Sequence, residues 1–315
     1  MLRYAKLVAK PQQLRRFTGL TREQVVALAQ RLAPLWEAAE QRRLARPTRQ
    51  RAIGAGRRYT LASPEDKWLL VLVFYRLYLT EDLMGWLFGL DRSNVNRLLQ
   101  KLEPLLTEAA DPALLTALRQ ARRARKKIGR WEEFVQAYPD LVEVVVDATE
   151  QPRRRPPKRV QRRYYSGKRK RHTLKTQLVV SRARGRILSI SDPVPGRVHD
   201  YRLFQRTRIA DRLPPETTCY LDRGYDGATT DYPTPRIVLP VKRRRNHRVL
   251  TPAERRANRR HARRRILVEH VIAKVKKYQL LAQVYRHRIT QYGQRVRNIA
   301  ALVNFRATPF APGLA

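Results

Sequence analysis

The chain has 315 residues, of which 43% are hydrophobic, a composition that supports packed cores and excludes disorder throughout. Its 68 Lys and Arg residues outnumber 26 Asp and Glu residues, so the formal net charge is +42. This excess favours a polyanionic partner, because each phosphate that a basic side chain neutralises releases counterions.

The charge alone does not identify a chemistry, because a solvated basic surface or a ribosomal protein would share it. One cysteine, Cys219, excludes a disulfide framework or a cysteine-based zinc site within a single chain. The N-terminus lacks an apolar signal-peptide stretch, and the longest apolar run, 68–79, is too short to cross a bilayer. We therefore expect a cytoplasmic protein that acts on the nucleoid and has no membrane partner.

The first predicted elements are helices. Apolar residues at helical spacing predict a helix over 21–46, with Thr21 as its cap. A basic, glycine-containing stretch at 47–58 predicts a loop. Ser63, followed by a proline and two acids, predicts the start of a helix that runs to about Leu79.

A helix-turn-helix pattern follows. Thr80 is predicted to cap a short helix over 81–88, and 89–92 forms a turn before a third helix that Ser93 caps. The exposed start of that helix carries Arg and Asn, which can pair bidentately with guanine and adenine edges. An ordinary three-helix bundle with a polar surface would explain the same pattern. The predicted DNA-binding residues are Arg92, Ser93, Asn94, Asn96 and Arg97.

The character of the chain changes after a helical connector. A β-rich run over 141–146 ends at Asp147, and a very basic segment follows it. Two further strands are predicted, then a short helix that begins near Asp200, and then a strand that ends at Asp222. One more strand precedes a long basic helix over 252–282 and a last helix. The further strands are predicted at 173–181, 186–191, 218–221 and 236–241, and the last helix at 293–304.

This order of elements predicts an α/β domain with a mixed sheet. We expect a helical helix-turn-helix DNA-binding domain over 1–110, a helical connector over 111–140 and a catalytic domain over 141–315.

Three acids of the second half stand out against its excess of base. Asp147 and Asp222 end predicted strands, and Glu269 lies on the long helix. Ligands bind at strand ends in open α/β sheets, and hard divalent cations prefer carboxylate oxygens. Each acid alone has an ordinary explanation as a turn, cap or surface ion-pair residue. Their combination with the element order and the charge predicts metal-dependent phosphoryl transfer.

The segments around these acids resemble a known family. VVVDATEQP around Asp147, YLDRGYDG around Asp222 and RRRILVEHVIAKVKKY around Glu269 resemble the insertion-sequence transposases of the DDE superfamily endonuclease type, the IS-five group and its Harbinger-like relatives. YYSGKRKRHTLKTQ and PGRVHD are also similar to that family, and the resemblance covers most of 141–306. It implies an RNase H-like fold behind a helix-turn-helix domain.

The resemblance also implies an activity. The three acids would be the catalytic and metal-binding residues of a DNA transposase, with two Mg²⁺ or Mn²⁺ ions as cofactors. The enzyme would bind the terminal inverted repeats of its element, cleave the strands and transfer them to target DNA, as a homodimer on double-stranded DNA. The alternatives are an inactive or domesticated DNA-binding regulator and a structural RNA-binding protein.

Basic residues on the long helix are further candidates. Arg265 precedes Glu269 by four residues and Lys276 follows it by seven, so the three share one helix face. In related transposases an Arg and a Lys at these offsets contact DNA phosphates, although both could be ordinary surface cations. The arginine clusters at 153–163 and 242–265 are predicted to grip phosphates.

Overall fold

The computed structural model describes most of the chain in two compact units. The predicted loop at 47–58 and part of the arginine cluster at 242–265 lie outside the described residues. Among the described helices, none is long and apolar enough to cross a membrane. The described residues are 1–45, 50, 60–242 and 249–307.

The elements occur in the following order. The helices are α1 (Tyr4–Val8), α2 (Pro11–Thr18), α3 (Arg22–Leu44), α4 (Pro64–Leu77), α5 (Glu81–Phe88), α6 (Arg92–Ala110), α7 (Ala117–Lys127), α8 (Trp131–Ala137), α9 (Lys158–Tyr164), α10 (Asp200–Thr207), α11 (Ile209–Arg212), α12 (Ala228–Asp231), α13 (Pro252–Lys276), α14 (Gln279–Ala282) and α15 (Ile289–Ala307). The strands are β1 (Glu143–Pro152), β2 (Tyr165–Ser166), β3 (Arg171–Ser181), β4 (Ile187–Ile190), β5 (Val194–Pro195), β6 (Thr218–Tyr220) and β7 (Arg236–Val238).

The two units do not follow the predicted domain boundaries. The first unit consists of Met1–Pro112, Lys276–Gln283 and Gln294–Ala315. The second consists of Ala113–Val275 and Val284–Gly293. The predicted connector therefore belongs to the second unit, and most of the last helix belongs to the first.

Capping side chains start the helices of the first unit where the sequence predicts. The Thr21 side chain accepts from the Gln24 backbone N–H, and the Gln24 side chain accepts from the Thr21 backbone N–H. Ser63 and Thr80 cap α4 and α5 with a single bond each, accepting from the backbone N–H groups of Asp66 and Leu83. The expected cap at Ser93 is wrong. The α6 helix begins two residues earlier, with Asp91 as its N-cap, because the Asp91 carbonyl accepts from the backbone N–H groups of its first turn.

The α15 helix joins the first unit through a buried polar network as well as apolar contacts. Arg295 is 1% exposed and donates from Nε to the Glu103 carboxylate over 2.8 Å. Asn298 donates to the Tyr75 hydroxyl over 2.8 Å and accepts from Thr107. Buried polar groups hold their positions only with such partners, so this network fixes the register of α15 in the first unit.

The second unit is built on a mixed sheet. Its strands follow the order β2-β3-β1-β6-β7, and β4 and β5 also pair with β3. The β1 and β3 strands pair in antiparallel fashion, whereas β1, β6 and β7 run parallel. An antiparallel half continued by a parallel half confirms the predicted mixed α/β architecture of an RNase H-like domain.

The two faces of this sheet carry different side chains, because strand residues alternate in direction. On one face Val144, Val146 and Val179 pack in a core that includes Phe204 of α10 and Phe134 of α8. The alternate residues of β1, including Val145 and Asp147, lie on the opposite face. The register of β1 and β3 thus separates the apolar core from the acidic position.

The α13 helix has a clear start and a narrow apolar stripe. Thr251 and Glu254 form a reciprocal pair of side chain to backbone hydrogen bonds at its first turn. Val268, Val271 and Val275 are its buried apolar residues and share one face at helical spacing. The helix ends at Lys276, earlier than the predicted 282, and α14 is a separate turn.

Candidate active site

Asp147 and Asp222 lie side by side at the end of the parallel pairing. Val145 of β1 is opposite Tyr220 of β6, which is the last paired position of these two strands. Each aspartate follows two residues later, so both leave the pair at the same level and on the same face. Asp147 does not end its strand as the sequence suggested. The β1 strand continues to Pro152, because β3 pairs with it along its whole length.

Arg265 of α13 bridges the two carboxylates. One terminal nitrogen lies 3.2 Å from Asp147 Oδ2 and the other lies 3.3 Å from Asp222 Oδ1. The guanidinium is mostly buried, with 12% of its side chain exposed, while Asp222 is half-exposed at 47%. A planar cation thus holds two acids that would repel each other, and it does so from the helix that carries Glu269.

The two carboxylates also accept backbone hydrogen bonds. The Ala148 N–H donates to Asp147 over 2.8 Å, and the Arg223 N–H donates to Asp222 over 2.7 Å. Burial raises the pKa of the Asp147 carboxyl, and the Arg265 charge opposes that rise. The negative charges of Asp222 and Asp200 add to the rise in this pKa. The site is therefore crowded with negative charge and suited to a cation.

Glu269 does not join the aspartates in this structure. Its side chain is exposed, one helical turn beyond Arg265. Among the described residues, no three acidic, histidine or cysteine side chains come close enough to hold a metal ion. The donor set does suit a divalent cation at the aspartate pair, since two hard carboxylates already share one cationic group. The role of Glu269 as a third ligand remains a prediction.

A buried lysine fixes another acid beside this pair. Lys175 of β3 donates from Nζ to Asp200 Oδ1 and to the Val198 carbonyl, each over 2.6 Å. The same Nζ lies 3.4 Å from the Glu150 carboxylate. Asp200 is the first residue of α10, and His199 is the N-cap without a side-chain bond. Asp200 is thus held by Lys175, and the His199 carbonyl accepts the first backbone hydrogen bond of the helix.

Tyr225 completes the surroundings of the aspartates. It lies shortly after Asp222 in the sequence and is fully buried. Its hydroxyl has no hydrogen-bond partner within the described part of the chain. Burial raises the pKa of Tyr225 well above its usual value, and the charges of Asp147 and Asp200 raise it further. Sequence reasoning missed Lys175 and Tyr225. The available signals were a lysine inside a predicted strand and the DRGYDG turn.

Arg265 and Lys276, the two predicted phosphate-binding residues of α13, have different surroundings. Arg265 points at the aspartates, so its expected contact with DNA phosphate is not the contact it makes here. Lys276 is the last residue of the helix and is half-buried, with partners of its own. Arg264 contacts the Tyr220 hydroxyl and stacks over its ring. DNA contacts by Arg265 and Lys276 stay predictions.

The predicted DNA-reading residues lie together at the start of α6. Arg92 is exposed and lies 3.8 Å from Glu81 of α5. Asn96 donates to the same carboxylate over 3.0 Å, and Arg97 donates to Asn94 over 3.0 Å. Ser93 is exposed beside them. These bonds order the polar side chains on one helix face, as a recognition helix requires.

Comparisons with known proteins agree with this architecture. The sequence model of the family described as DDE superfamily endonuclease matches residues 146–304, and that of the helix-turn-helix of DDE superfamily endonuclease matches residues 59–112. A catalytic unit of this type and a helix-turn-helix define the class of DDE transposases and related nucleases.

Two curated relatives match along most of their length. The chain is 32% identical over 241 residues to a probable transposase for insertion sequence element IS702 from Microchaete diplosiphon, covering 76% of this chain and 80% of the relative. It is 25% identical over 230 residues to a putative transposase for insertion sequence element IS112 from Streptomyces albus G, covering 73% and 75%. No solved structure matches the chain significantly. The chain belongs to the DDE superfamily endonuclease family of insertion-sequence transposases.

Proposed function

We propose that this protein is a DNA transposase that cleaves the ends of its insertion sequence and transfers the strands to target DNA. The observation that carries the proposal is the pair of carboxylates, Asp147 and Asp222, joined through one cationic group where the parallel pairing of β1 and β6 ends. Family membership and the DNA-binding helix-turn-helix support it.

In this proposal Asp147 and Asp222 hold the divalent cations, Mg²⁺ or Mn²⁺, and Glu269 provides the third carboxylate. Bound cations would polarise the scissile phosphate and lower the pKa of the attacking hydroxyl. Arg265 would compete with a bound cation, because its guanidinium contacts one oxygen of each carboxylate. Freed from them, Arg265 is available to a DNA phosphate, as its resemblance to related transposases implies.

The reaction then proceeds in two transfers at phosphorus. In cleavage, the oxygen of a water bonds to the phosphate at the element end, and the bridging 3′ oxygen leaves with a proton. In strand transfer, that 3′-hydroxyl oxygen bonds to a target phosphate, the target P–O3′ bond breaks, and the target 3′ oxygen leaves with the proton that the attacking hydroxyl loses. The exposed start of α6 would select the terminal repeats through Arg92, Asn96 and Arg97. Two ends are joined in one event, so we propose a homodimer on DNA.

Strand cleavage and joining of a labelled element-end duplex in Mg²⁺ or Mn²⁺ tests the proposal. We expect Asp147→Ala, Asp222→Ala and Glu269→Ala each to bind the duplex and to lose at least about a hundredfold in cleavage rate, since each removes a cation ligand. Asp226→Ala is the matched control. It removes an exposed carboxylate of the same loop that pairs with Lys242, and it should cleave like the wild type.

Two results would contradict parts of this assignment. Cleavage by a triad variant at the wild-type rate would mean that the active site lies elsewhere. A wild-type protein that binds the element end but never cleaves it would be a DNA-binding regulator. The observation that favours a DNA-binding regulator is the exposed position of Glu269.

A further inference from the structure

The second unit carries a basic surface that includes α7, a helix of the predicted connector. A groove of about 600 Å³ runs between α7, β4 and α11. Its floor is apolar and includes Leu118 and Leu188, both of which are buried. Its walls carry five cations and no acid among the lining residues. The cations are Arg119, Arg122, Arg123, Lys126 and Arg212.

These cations are uncompensated. Throughout the described residues, none of the five forms an ion pair, and all five side chains are exposed. Arg125 of the same helix behaves differently. It pairs with Glu216, donates to the Ile128 carbonyl over 2.7 Å and stacks on Trp131. The α7 helix therefore separates a structural arginine on one face from free cations on the other.

Unpaired cations around one groove create a positive potential, and this potential favours the binding of an anion. Four of them repeat along one face of α7, and Arg119 and Lys126 are seven residues apart. At 1.5 Å per residue this row is about 10 Å long, and phosphates of one DNA strand advance about 3.4 Å each along the duplex axis. The row is therefore long enough to lie beside several consecutive phosphates of one strand.

We propose that this groove binds the sugar-phosphate backbone of duplex DNA, as a second contact besides the helix-turn-helix. The inference rests on the proposed transposase function, in which the chain must hold target DNA as well as its element ends. The groove offers arginines and no base-reading pattern of Asn or Gln among its lining residues, so its contribution is independent of sequence.

The test measures binding of the full-length protein to a 30-base-pair duplex without the element end, by fluorescence anisotropy across a salt titration. Arg119→Gln/Arg122→Gln/Arg123→Gln should weaken binding about tenfold or more at moderate salt. It should also reduce the slope of log K against log salt by about 2 to 3, at roughly 0.9 for each phosphate released.

The matched control removes the same charge from the same unit. Arg202→Gln/Arg206→Gln/Arg236→Gln neutralises three exposed arginines that do not line the groove. It should reduce the slope by less than about 1. An equal loss in both triple variants would overturn the proposal, because the effect would then follow total charge alone.

A second measurement does not depend on arginine substitutions. Ser189 lines the groove, and the one natural cysteine, Cys219, is fully buried, so Ser189→Cys introduces the accessible thiol. Duplex DNA should slow its alkylation by N-ethylmaleimide at least about threefold. The proposal is overturned if DNA gives no protection. It is also overturned if poly-glutamate of equal charge protects as well, since an acidic protein would then be the better partner.

Failure of the groove and failure of the transposase function are distinguishable. One outcome is a wild type that cleaves and joins element ends while the groove variant still binds the nonspecific duplex normally. That result would contradict only the proposed role of the groove. A wild type that binds no DNA at all would reject both.

Discussion

At the scale of single residues, Arg265 is the side chain on which the state of the site depends. Its guanidinium neutralises Asp147 and Asp222, and its Nε is buried with no hydrogen-bond partner among the described residues. The two terminal nitrogens therefore make the contacts with the carboxylates, and Nε does not take part. The guanidinium of Arg265 and a metal ion are therefore alternative partners for these carboxylates.

We expect Arg265→Gln to bind Mn²⁺ about tenfold more tightly than the wild type in the absence of DNA, measured by isothermal titration calorimetry. The same variant should be about 2 kcal/mol less stable without metal, because the buried Asp147 loses its counter-charge. Added Mn²⁺ should restore its Tm. Arg263→Gln, at an exposed position of the same helix, is the control and should change neither quantity. Weaker Mn²⁺ binding by Arg265→Gln would show that the guanidinium supports the metal site.

At the scale of elements, the turn between α5 and α6 is held by a close backbone approach. The Leu90 N–H donates to the Gly85 carbonyl over 2.8 Å, and Gly89 caps α5 in the left-handed region with φ +71°. A Cβ on Gly85 would collide with the Leu90 carbonyl oxygen, which is backbone and cannot rotate away. The geometry of the helix-turn-helix thus requires glycine at this helical position.

We expect Gly85→Ala to lower the free energy of unfolding by about 2 kcal/mol and to weaken binding to the element end. Alanine would otherwise favour a helix by about 1 kcal/mol, so the sign of the change reports the collision. Gly129→Ala is the control, because among the described residues, chain neighbours apart, no atom lies within 4 Å of the added methyl group. Thermal unfolding and element-end binding would be measured together. A Gly85→Ala protein that melts at or above the wild-type temperature would contradict the close approach.

At the scale of the whole molecule, the helix-turn-helix unit depends on the C-terminal part of the chain. Arg295 and Asn298 bury their polar groups against Glu103, Thr107 and Tyr75. Burial raises the pKa of Glu103, and Arg295 opposes this rise. Without α15 a buried carboxylate would lose its partner, a loss that typically costs about 3–5 kcal/mol.

We therefore expect a fragment of residues 1–112 to lack a cooperative thermal transition by circular dichroism. The same fragment joined through a glycine-serine linker to residues 276–307 should unfold cooperatively, because it regains the buried network. The linked fragment is also the control for proteolysis and expression. Cooperative unfolding of 1–112 alone would mean that the predicted domain over 1–110 is complete without α15.

Local chemistry determined much of this protein from the sequence. Thr21, Ser63 and Thr80 begin their helices as predicted, because a capping bond involves residues only three positions apart. The mixed sheet and the strand before Asp222 were also predictable, since β-branched runs and turn residues act over short spans. The position of Asp222 just after a strand followed from the same pattern, whereas Asp147 lies within β1, because β3 pairs with that strand as far as Pro152.

Contacts between distant residues were decided by the tertiary structure. Arg265 is one of many arginines on α13, and only the packing of that helix on the sheet directs it to Asp147, 118 residues away in the chain. The pairing of Lys175 with Asp200 and the assignment of α15 to the first unit have the same origin. Burial and ion pairing depend on what surrounds a side chain in three dimensions, and a run of sequence specifies only its neighbours along the chain.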